Sequence, residues 1–588
     1  MFLRDLGVGG VSLYHHHPHL RDRLNLLLQY NASVMRSAFA FSFILFLSLS
    51  LFAQSPSQHW YDHAVIYEIY PRSFQDTNGD GIGDLNGITM HLGYLKNLGV
   101  DAIWISPFFP SPNADFGYDV SDYTAVAREY GTLADWDRLV NVANQAGIRV
   151  LVDFVVNHTS YQHPWFLESR SSRTNPKRDW YIWKDGGGPN DPPTHWTSGF
   201  GGYTWTWDDK TKQWYYHFFL AQQPDLNWRN PEVQKAMYDV ARFWLKHGAS
   251  GFRLDATPYL FEDPKFPEDP DPPKVGSREV FLQPYNAGLP ELHDALRGLR
   301  KTLDEFRGDP VLLAESLTPN ITELARLYGK HHDEIQLPMN FLFADIKKLD
   351  AQEFKKQIDA AESQLKGGTP VFLLSNHDRP RPIDTFGDGK NNRQIAKLVA
   401  ALFLTPPGTA QMYYGDELGM TTMPRSELDK FGTTPKRPHP DGRDGERTPM
   451  QWHAGPNAGF TAGAPWLPVS SNASTVNVAA ESRDKQSIFS WYKSLLQLRK
   501  YHLAFGDGDY VPLESGNRDV LAFARRTNSG VTALVVLNMS GTEQEVEITG
   551  LTPWPKLKKV LLASPDAPTP ISPVLQIAAY GVIIAATH

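Results

Sequence analysis

Eight short apolar runs, separated by amphipathic or irregular sequence, constrain the fold of this chain more than any other feature. The runs lie at 64–70, 101–106, 149–156, 251–255, 310–315, 334–341, 370–376 and 409–414. Segments between them, such as 229–247 and 289–306, have helical spacing. Strands that alternate with helices form parallel βαβ units, and eight such units close into a barrel. The sequence therefore predicts an α/β fold, a (β/α)8 TIM barrel.

Two regions depart from this alternation. Residues 158–228, between the third and fourth runs, are rich in Trp, Gly and Pro and too long for a simple loop, which predicts a small inserted domain. After about residue 503 the pattern changes to β-type alternation, as in 519–526 and 531–537, which predicts a C-terminal antiparallel β domain. The predicted domains are barrel segments 60–157 and 229–502, inserted domain 158–228 and β domain 503–588.

The N-terminus has the layout of an export signal. Met35-Arg36-Ser37 precedes an apolar run at 38–52, which is shorter than a membrane-spanning helix needs, and Ala53 follows. We therefore predict a signal peptide at 35–53 and an exported protein, periplasmic or secreted, that is free of the membrane after cleavage. The large Leu51 leaves an uncleaved membrane anchor as the alternative. Residues 1–34 are interpreted as an over-extended start or a disordered extension rather than a metal-binding segment.

Composition excludes several classes of partner. The net charge of -8, the pI near 6.2 and the absence of a basic stretch argue against nucleic acid. The absence of Cys excludes disulfides, thiolate metal sites and a Cys nucleophile. Sixteen Trp, 24 Tyr and 32 Phe suit the stacking of sugar rings, although most aromatic residues will be core. A neutral partner therefore fits better, and we expect a monomer or weak homo-oligomer.

Three carboxylates end or directly follow apolar runs: Asp255, Glu315 and Asp378. One Asp at a strand end usually has a structural role, but catalytic groups of a TIM barrel lie at these ends. Arg253 and Asp255 project to the same side of one strand, so we expect the guanidinium to lower the pKa of Asp255 and keep it anionic. Glu315 ends an apolar run, which favours the neutral form of a general acid. A spacing of about 5–5.5 Å between the two carboxyls would give hydrolysis with retention.

Five segments in this order carry a resemblance to a known family. They are DFVVNH (153–158), QPDLNW (223–228), GFRLDA (251–256), AES (314–316) and LSNHD (374–378). From about residue 60 to the end, the chain resembles the α-amylase family, glycoside hydrolase family 13. The resemblance implies that Asp255 is the nucleophile, Glu315 the general acid/base and Asp378 the third carboxylate, which holds the sugar hydroxyls.

The same resemblance assigns His158, Arg253 and His377 to the subsite of the attacked glucose. The alternative is that the two histidines are structural, with their hydrogen bonds made within the fold. Two further segments, DFGY (115–118) and GRDGERTPMQW (442–452), resemble the α-glucosidase and oligo-1,6-glucosidase branch of the family. The resemblance implies that Asp115 and Arg447 pair behind the non-reducing glucose, where Tyr118 is a stacking platform. Such a blocked pocket admits chain ends only. A structural salt bridge without a sugar role is the alternative.

The segment 76–84 resembles a calcium loop. Asp76, Asn78, Asp80, Ile82 and Asp84 place oxygen ligands at alternate positions, with Gly at the sixth. The loop lacks the Glu that ends an EF-hand loop, so spacing alone leaves a turn that binds no metal as an equal alternative. The family branch carries a similar loop with calcium or magnesium. We therefore expect a structural calcium or magnesium ion and no cofactor for catalysis.

The predicted function is that of an exo-acting retaining α-glucosidase that hydrolyses terminal α-1,4-linked glucose from maltose and short malto-oligosaccharides. Ala256 follows the nucleophile, where the resembling branch has Val in α-1,6-specific enzymes. Arg379 after Asp378 is a bulky cation that could reshape the acceptor site. The alternatives are an oligo-1,6-glucosidase, a transglucosidase similar to trehalose synthase and, as another class, a non-catalytic sugar-binding or transporter-subunit homologue.

Overall fold

The computed structural model describes residues 59–365, 367–439, 441–565 and 571–588 of the 588-residue chain. The predicted extension 1–34 and the signal peptide 35–53 lie outside the described residues. Within the described ranges, no helix is both long enough and apolar enough to cross a membrane.

All eight predicted barrel strands are present, and their order confirms the predicted fold class. Numbered in chain order, they are β1 (Val65–Ile69), β2 (Ala102–Ile105), β3 (Arg149–Val155), β7 (Gly251–Asp255), β8 (Val311–Ala314), β9 (Leu337–Pro338), β10 (Val371–Phe372) and β11 (Thr409–Tyr413). They form one parallel sheet in the order β10-β11-β1-β2-β3-β7-β8-β9. A parallel bridge between Met339 and Val371 joins the two end strands.

Helices cover the outside of the barrel and connect its strands. Those of the barrel region are α1 (Pro71–Phe74), α2 (Leu85–Met90), α3 (Leu92–Leu98), α4 (Leu133–Ala146), α6 (Pro231–Lys246), α7 (Glu291–Leu303), α8 (Ile321–Arg326), α9 (Phe341–Ala344), α10 (Ala351–Gln364), α11 (Pro382–Phe386), α12 (Asn392–Leu404), α13 (Arg425–Phe431), α14 (Val478–Glu481) and α15 (Ile488–Tyr501). Further short helices are α5 (Pro164–Ser169) in the insert and α16 (Leu503–Gly506) before the C-terminal domain.

Helix α4 shows how the local sequence sets these elements. Thr132 and Asp135 form a reciprocal capping box at its start, and Gly147 ends it in the left-handed region at φ 77°. Its buried positions are Trp136, Leu139, Val140 and Ala143. They recur at the spacing of one helical face, so α4 buries that face against the barrel.

The barrel interior changes from apolar to polar along the strands. On β1, Ile66 belongs to the inner apolar cluster, while Val65 and Tyr67 belong to the cluster between the strands and the helices. Because side chains alternate along a strand, Glu68 lies on the same side as Ile66. Asp153 of β3 and Arg253 of β7 are also fully buried at this level. The C-terminal end of the barrel therefore has a charged inner layer.

The inserted domain lies between β3 and β7 and carries a small antiparallel sheet. Its strands are β4 (Trp183–Lys184), β5 (Trp205–Asp208) and β6 (Gln213–Tyr216), in the order β4-β6-β5. An aromatic cluster joins Trp196, Tyr216 and Phe218 of the insert to Ala256 and Tyr259, which follow β7. The insert is thereby fixed over the strand end that carries Asp255.

The C-terminal domain is antiparallel, as predicted. One sheet has the order β12-β13-β14-β18-β16, and a second pairs β15 with β17. The strands are β12 (Asp509–Pro512), β13 (Val520–Arg526), β14 (Thr532–Asn538), β15 (Gln544–Glu547), β16 (Lys559–Ser564), β17 (Val574–Ile577) and β18 (Val582–Ala586). Buried Arg525 of β13 donates to the carbonyls of Thr405 (3.2 Å) and Phe505 (3.1 Å), which ties this sheet to the barrel helices.

Candidate active site

A cavity of about 490 Å³ opens at the C-terminal end of the barrel. Asp255 is the last residue of β7, Glu315 directly follows β8, and Asp378 lies in the loop after β10. All three carboxylates line this cavity. Their position follows from the barrel, because parallel strands bring their carboxyl ends to one face.

The nine predicted catalytic and sugar-binding residues divide into two groups. Six of them line the cavity: Asp115, Tyr118, His158, Asp255, Glu315 and Asp378. The other three are fully buried behind it and contact the lining carboxylates: Arg253, His377 and Arg447. The structure thus brings all nine together, but only the first group faces the space that a ligand would fill.

Arg253 links the two central carboxylates. Its Nη1 lies 2.6 Å from Asp255 Oδ1, and its Nη2 lies 3.0 Å from Glu315 Oε2. Nη1 also lies 3.1 Å from Oδ1 of Asp153 on the neighbouring strand β3. The backbone N–H of Ala256 donates to Glu315 Oε2 at 3.0 Å. One planar cation therefore fixes the orientation of both carboxyl groups.

The prediction of a low pKa for Asp255 is wrong. Burial of this carboxyl raises its pKa well above the ordinary value; Arg253 opposes the rise, and the nearby charges of Glu315 and Asp153 add to it. The guanidinium two residues away is visible in the sequence, whereas the desolvation arises only where the closed barrel end buries the carboxyl. Arg253 orients the carboxyl and offsets part of this cost.

Asp378 is held as an anion by three cations. Its Oδ1 accepts from Arg443 Nη1 at 2.9 Å and from Arg447 Nη2 at 2.8 Å, and its Oδ2 lies 3.2 Å from His377 Nε2. Burial alone would raise the pKa of Asp378, but His377, Arg443 and Arg447 outweigh burial and hold it well below its usual range. This carboxylate is therefore an anion at the cavity wall that can accept further hydrogen bonds.

The two predicted histidines are in opposite charge states. Burial lowers the pKa of His158 to about 3, so its ring is neutral at ordinary pH. Burial also disfavours the charged ring of His377, but the carboxylates of Asp378 and Glu68 raise its pKa to about 9. The Tyr118 ring stacks on His377 with 8° between the planes, and its hydroxyl lies 2.7 Å from His377 Nε2. Tyr118 thus connects this imidazolium to the cavity wall.

The predicted pairing of Asp115 with Arg447 is also wrong. Asp115 pairs instead with Arg443, whose Nη2 lies 2.5 Å from Asp115 Oδ1. Arg447 lies deeper, where its Nε donates to the His377 carbonyl at 2.8 Å and its Nη2 to Asp378. The two arginines are four residues apart in an irregular loop, and only its tertiary path decides which one reaches Asp115.

Four residues that sequence reasoning passed over complete the site: Glu68, Asp153, Gln223 and Arg443. Gln223 Nε2 lies 3.1 Å from Asp115 Oδ2 and 3.1 Å from His158 Nε2, so it links two cavity-lining residues. Glu68 and Asp153 carried a usable signal, because each is an acidic residue inside an otherwise apolar run. Arg443 is the first arginine of the motif GRDGERTPMQW, whereas the family resemblance points to the second, Arg447.

Ala256 is not one of the described residues that line the cavity. It is buried in the aromatic cluster beside Tyr259. Its backbone is in the left-handed region at φ 51° and ψ 33°, which costs a non-glycine residue about 1–2 kcal/mol. This conformation points the Ala256 N–H at Glu315. The residue after Asp255 therefore contacts the cavity wall only through its neighbours Tyr259 and Glu315.

Hydrogen bonds from its own side chains stabilise the turn of loop 76–84. Asp76 Oδ1 accepts from the amides of Asn78 (2.9 Å) and Gly79 (2.8 Å), and Asp84 caps helix α2. Gly81 is required, since its φ is 86° and a Cβ there would lie 1.8 Å from the Ala464 carbonyl oxygen.

The donor set of this loop fits a hard cation, because the Asp and Asn side chains and the Ile82 carbonyl all offer oxygen. In the described part of the chain, no group of three or more His, Cys, Asp or Glu side chains is close enough to hold a metal. Any ion here would therefore depend on the amide of Asn78 and on backbone oxygen. The metal remains a prediction.

Comparison with known proteins places the chain in a family. The model of the α-amylase catalytic domain matches residues 68–508. The chain belongs to the α-amylase family. Within this family it is 39% identical over 489 residues to an oligo-1,6-glucosidase of Parageobacillus thermoglucosidasius, covering 77% of this chain and 86% of the relative. It is 38% identical over 510 residues to an α-glucosidase of Apis mellifera, covering 84% and 87% respectively.

Solved structures of the α-amylase family agree with this assignment. A trehalulose synthase from Pseudomonas mesoacidophila MX-45 is 35% identical and superimposes with a TM-score of 0.81, covering 90% of this chain and 100% of that one. The shared family, with relatives named α-glucosidase and oligo-1,6-glucosidase, makes this chain a glycoside hydrolase of the glucosidase type.

Proposed function

We propose that this α-amylase family member is an exo-acting, retaining α-glucosidase that removes terminal α-1,4-linked glucose from maltose and short malto-oligosaccharides. The observation that carries the proposal is the ion pair between Asp115 and Arg443 at 2.5 Å, both lining the cavity. Arg443 also binds Asp378, so the pair and the third carboxylate form one rigid end. A pocket closed in this way holds a single terminal glucose.

In the proposed mechanism, Asp255 attacks C1 of the terminal glucose as a carboxylate, the form that Arg253 favours against the effect of burial, while Glu315 protonates the departing glycosidic oxygen. The C1–O bond to the leaving group breaks, and a glucosyl ester forms on Asp255. Glu315, now a carboxylate, then takes a proton from water, which attacks C1, breaks the ester bond to Asp255 and releases glucose with retained configuration. Arg253 contacts both carboxylates in the structure, so it is placed to support this exchange.

The proposed α-1,4 preference rests on Ala256 in place of the bulkier Val. Because Ala256 packs beside Tyr259, and Tyr259 lines the cavity, the added methyl groups of Val would act by displacing that ring. A methylene in a binding pocket is worth about 1–3 kcal/mol, so the preference would be relative and isomaltose would remain a weaker substrate.

A second candidate is glucosyl transfer or isomerisation. Similar structures include the trehalulose synthase and an α-glucosyl transfer enzyme, the latter 36% identical with a TM-score of 0.82, covering 90% of this chain and 100% of that chain. The specific observation in favour is the aromatic part of the cavity wall, to which four phenylalanines contribute: Phe200, Phe219, Phe281 and Phe341. Such an apolar wall would slow the entry of water to the glucosyl ester.

The test is product analysis with maltose, isomaltose, sucrose and trehalose. We expect maltose to be hydrolysed faster than isomaltose. The stereochemistry is read by NMR from p-nitrophenyl α-glucoside, whose only glucose is the glycone, and α-glucose should form first. Maltoheptaose blocked at its non-reducing end should resist cleavage, whereas the free oligosaccharide should lose one glucose at a time. Cleavage of the blocked substrate would refute the exo-acting assignment, and initial release of β-glucose from the aryl glucoside would refute retention.

A further inference from the structure

A group of charged side chains lines the same cavity without entering the mechanism above. These residues are Arg278, Asp345, Lys347 and Arg379, and we call them the cationic wall. Three cations face one carboxylate, which leaves an excess of positive charge beside the reacting bond. A neutral sugar does not require such an excess, because its hydroxyls are recognised equally well by amides and paired charges.

The geometry of the cationic wall shows that Asp345 is shared. Arg379 Nη1 lies 2.6 Å from Asp345 Oδ1, and Arg278 Nε lies 3.3 Å from Asp345 Oδ2. The Arg379 guanidinium also stacks over Phe341, 4.7 Å from the ring centroid, which fixes its plane. Two guanidinium groups therefore compete for one carboxylate, and each keeps N–H donors free to bind a second anion.

Lys347 adds to the excess of positive charge. Its Nζ donates to the Ala344 carbonyl at 3.3 Å, which satisfies one of its three N–H groups without a charge on the acceptor. Burial lowers the pKa of Lys347, and the neighbouring charge of Arg379 lowers it further, while the shared carboxylate of Asp345 opposes this only in part. An anion bound between these side chains would relieve this repulsion.

The cationic wall is close to the segment that follows Glu315. Arg278 Nη2 donates at 3.1 Å to the carbonyl of Thr318, three residues after Glu315. In the proposed function, Glu315 delivers its proton to the departing oxygen, so side chains that contact this segment would be next to the leaving group. The ion pair of Asp115 and Arg443 would then lie behind the terminal glucose. This assignment of sides rests on the proposed exo-acting function.

We propose that the cationic wall is a subsite for an anionic leaving group, so that the preferred substrates are α-glucosides whose aglycone carries a carboxylate or a phosphate. Guanidinium groups bind both anions through paired N–H donors. The wall would also offset the repulsion that such an aglycone meets from the Asp255 and Glu315 carboxylates.

Two matched pairs of substrates test this proposal. Maltobionate differs from maltitol by a carboxylate in an open-chain aglycone, and trehalose 6-phosphate differs from trehalose by a phosphate. We expect kcat/KM to favour the anionic member of at least one pair by about tenfold, as one charge-assisted contact predicts. The preference should weaken in 0.5 M NaCl, because salt screens charges at a partly exposed site. The pair that shows the preference identifies the anion.

Variants with opposite expected signs sharpen the test. The double substitution Arg278→Met and Arg379→Met should bring the anionic-to-neutral ratio of kcat/KM close to one. Asp345→Asn removes the competing carboxylate and should raise that ratio severalfold. Arg326→Met is the matched control, since Arg326 is a surface arginine paired with Glu323 and does not line the cavity; its ratio should equal that of the parent.

Binding measurements on an inactive variant distinguish failure of the anionic subsite from failure of the proposed glucosidase function. In Glu315→Gln, calorimetric titration should give tighter binding of maltobionate than of maltitol, or of trehalose 6-phosphate than of trehalose, whether or not the parent hydrolyses them. Equal affinities in both pairs, and ratios that neither Asp345→Asn nor the double variant moves, would overturn the anionic subsite. An inactive parent with unequal affinities would refute the glucosidase mechanism and leave the subsite supported.

Discussion

Oε1 of Glu68 lies 2.6 Å from Nδ1 of His377, and both side chains are fully buried. Gln411 Nε2 donates to the other Glu68 oxygen at 2.8 Å. On its far side, His377 faces the hydroxyl of Tyr118 and the carboxylate of Asp378. An imidazolium between two carboxylates is thus part of the barrel interior, and it contacts the carboxylate that would hold the sugar.

The charge of His377 gives the first prediction. Its pKa in the folded protein is about 9, above its ordinary value of 6.5. The stability that this charge contributes is therefore complete below about pH 6.5 and is lost as pH rises through about 9. Glu68→Gln removes one of the two charges that raise this pKa. The alkaline fall of kcat/KM, measured from pH 5 to pH 10, should begin at a lower pH than in the parent.

Glu417→Gln is the control for this experiment. Glu417 is another fully buried carboxylate, but it binds the hydroxyls of Tyr67 and Tyr94 rather than His377. Its loss should lower the melting temperature without moving the alkaline limb. Coincident pH profiles for Glu68→Gln and the parent would show that Glu68 has only a packing role.

The central carboxylates give the second prediction. Asp255→Asn and Glu315→Gln should each lower kcat by about 10³-fold or more while the fold is kept, because each removes a group that acts in the transition state. Azide should rescue Asp255→Gly and Glu315→Gly with different anomeric products. Asp209→Asn, at an exposed surface carboxylate, should leave kcat unchanged. Near-parental turnover in either carboxamide variant would contradict the assigned mechanism.

The third prediction concerns linkage preference. Ala256→Val should lower the ratio of kcat/KM for maltose over isomaltose, because a larger side chain displaces Tyr259 at the cavity wall. It should also destabilise the protein by about 1–2 kcal/mol, since a β-branched residue is disfavoured at a φ of 51°.

Ala256→Gly separates these two effects, because it relieves the backbone strain without adding volume. Its unfolding free energy should change in the opposite direction from that of the Val variant, apart from the small loss of a buried methyl group. A parent that prefers isomaltose, or a ratio that Val leaves unmoved, would defeat the role given to Ala256.

The fourth prediction concerns the loop 76–84. Chelation should lower the melting temperature more than it lowers activity at moderate temperature, because the loop supplies no group to the cavity among the described residues. Asp80→Ala should reduce both the bound calcium or magnesium and the melting temperature. Asp122→Ala removes a similar exposed side-chain turn, at Thr124, and serves as the control. Unchanged metal content and stability in Asp80→Ala would favour the alternative, a turn that binds no metal.

The barrel and its main carboxylates could be predicted because they depend on local patterns. Runs such as VLLA before Glu315 are mainly apolar, as strands buried on both faces must be, and they alternate along the chain with segments of helical spacing. Once eight such strands close, Asp255 and Glu315 reach one face without further information. Glu68 could have been predicted by the same logic, since a carboxylate inside β1 must find a partner in the barrel interior.

Other features depended on how distant segments meet. Arg443 and Arg447 share one motif and one charge, and the path of the loop alone decides that Arg443 reaches Asp115. The pKa of Asp255 depended on burial beneath the inserted domain, which outweighs the neighbouring guanidinium. Strand order and strand ends follow from periodicity along the chain. Pairing and desolvation depend on distances of a few ångströms between residues far apart in sequence, so only the tertiary structure decided them.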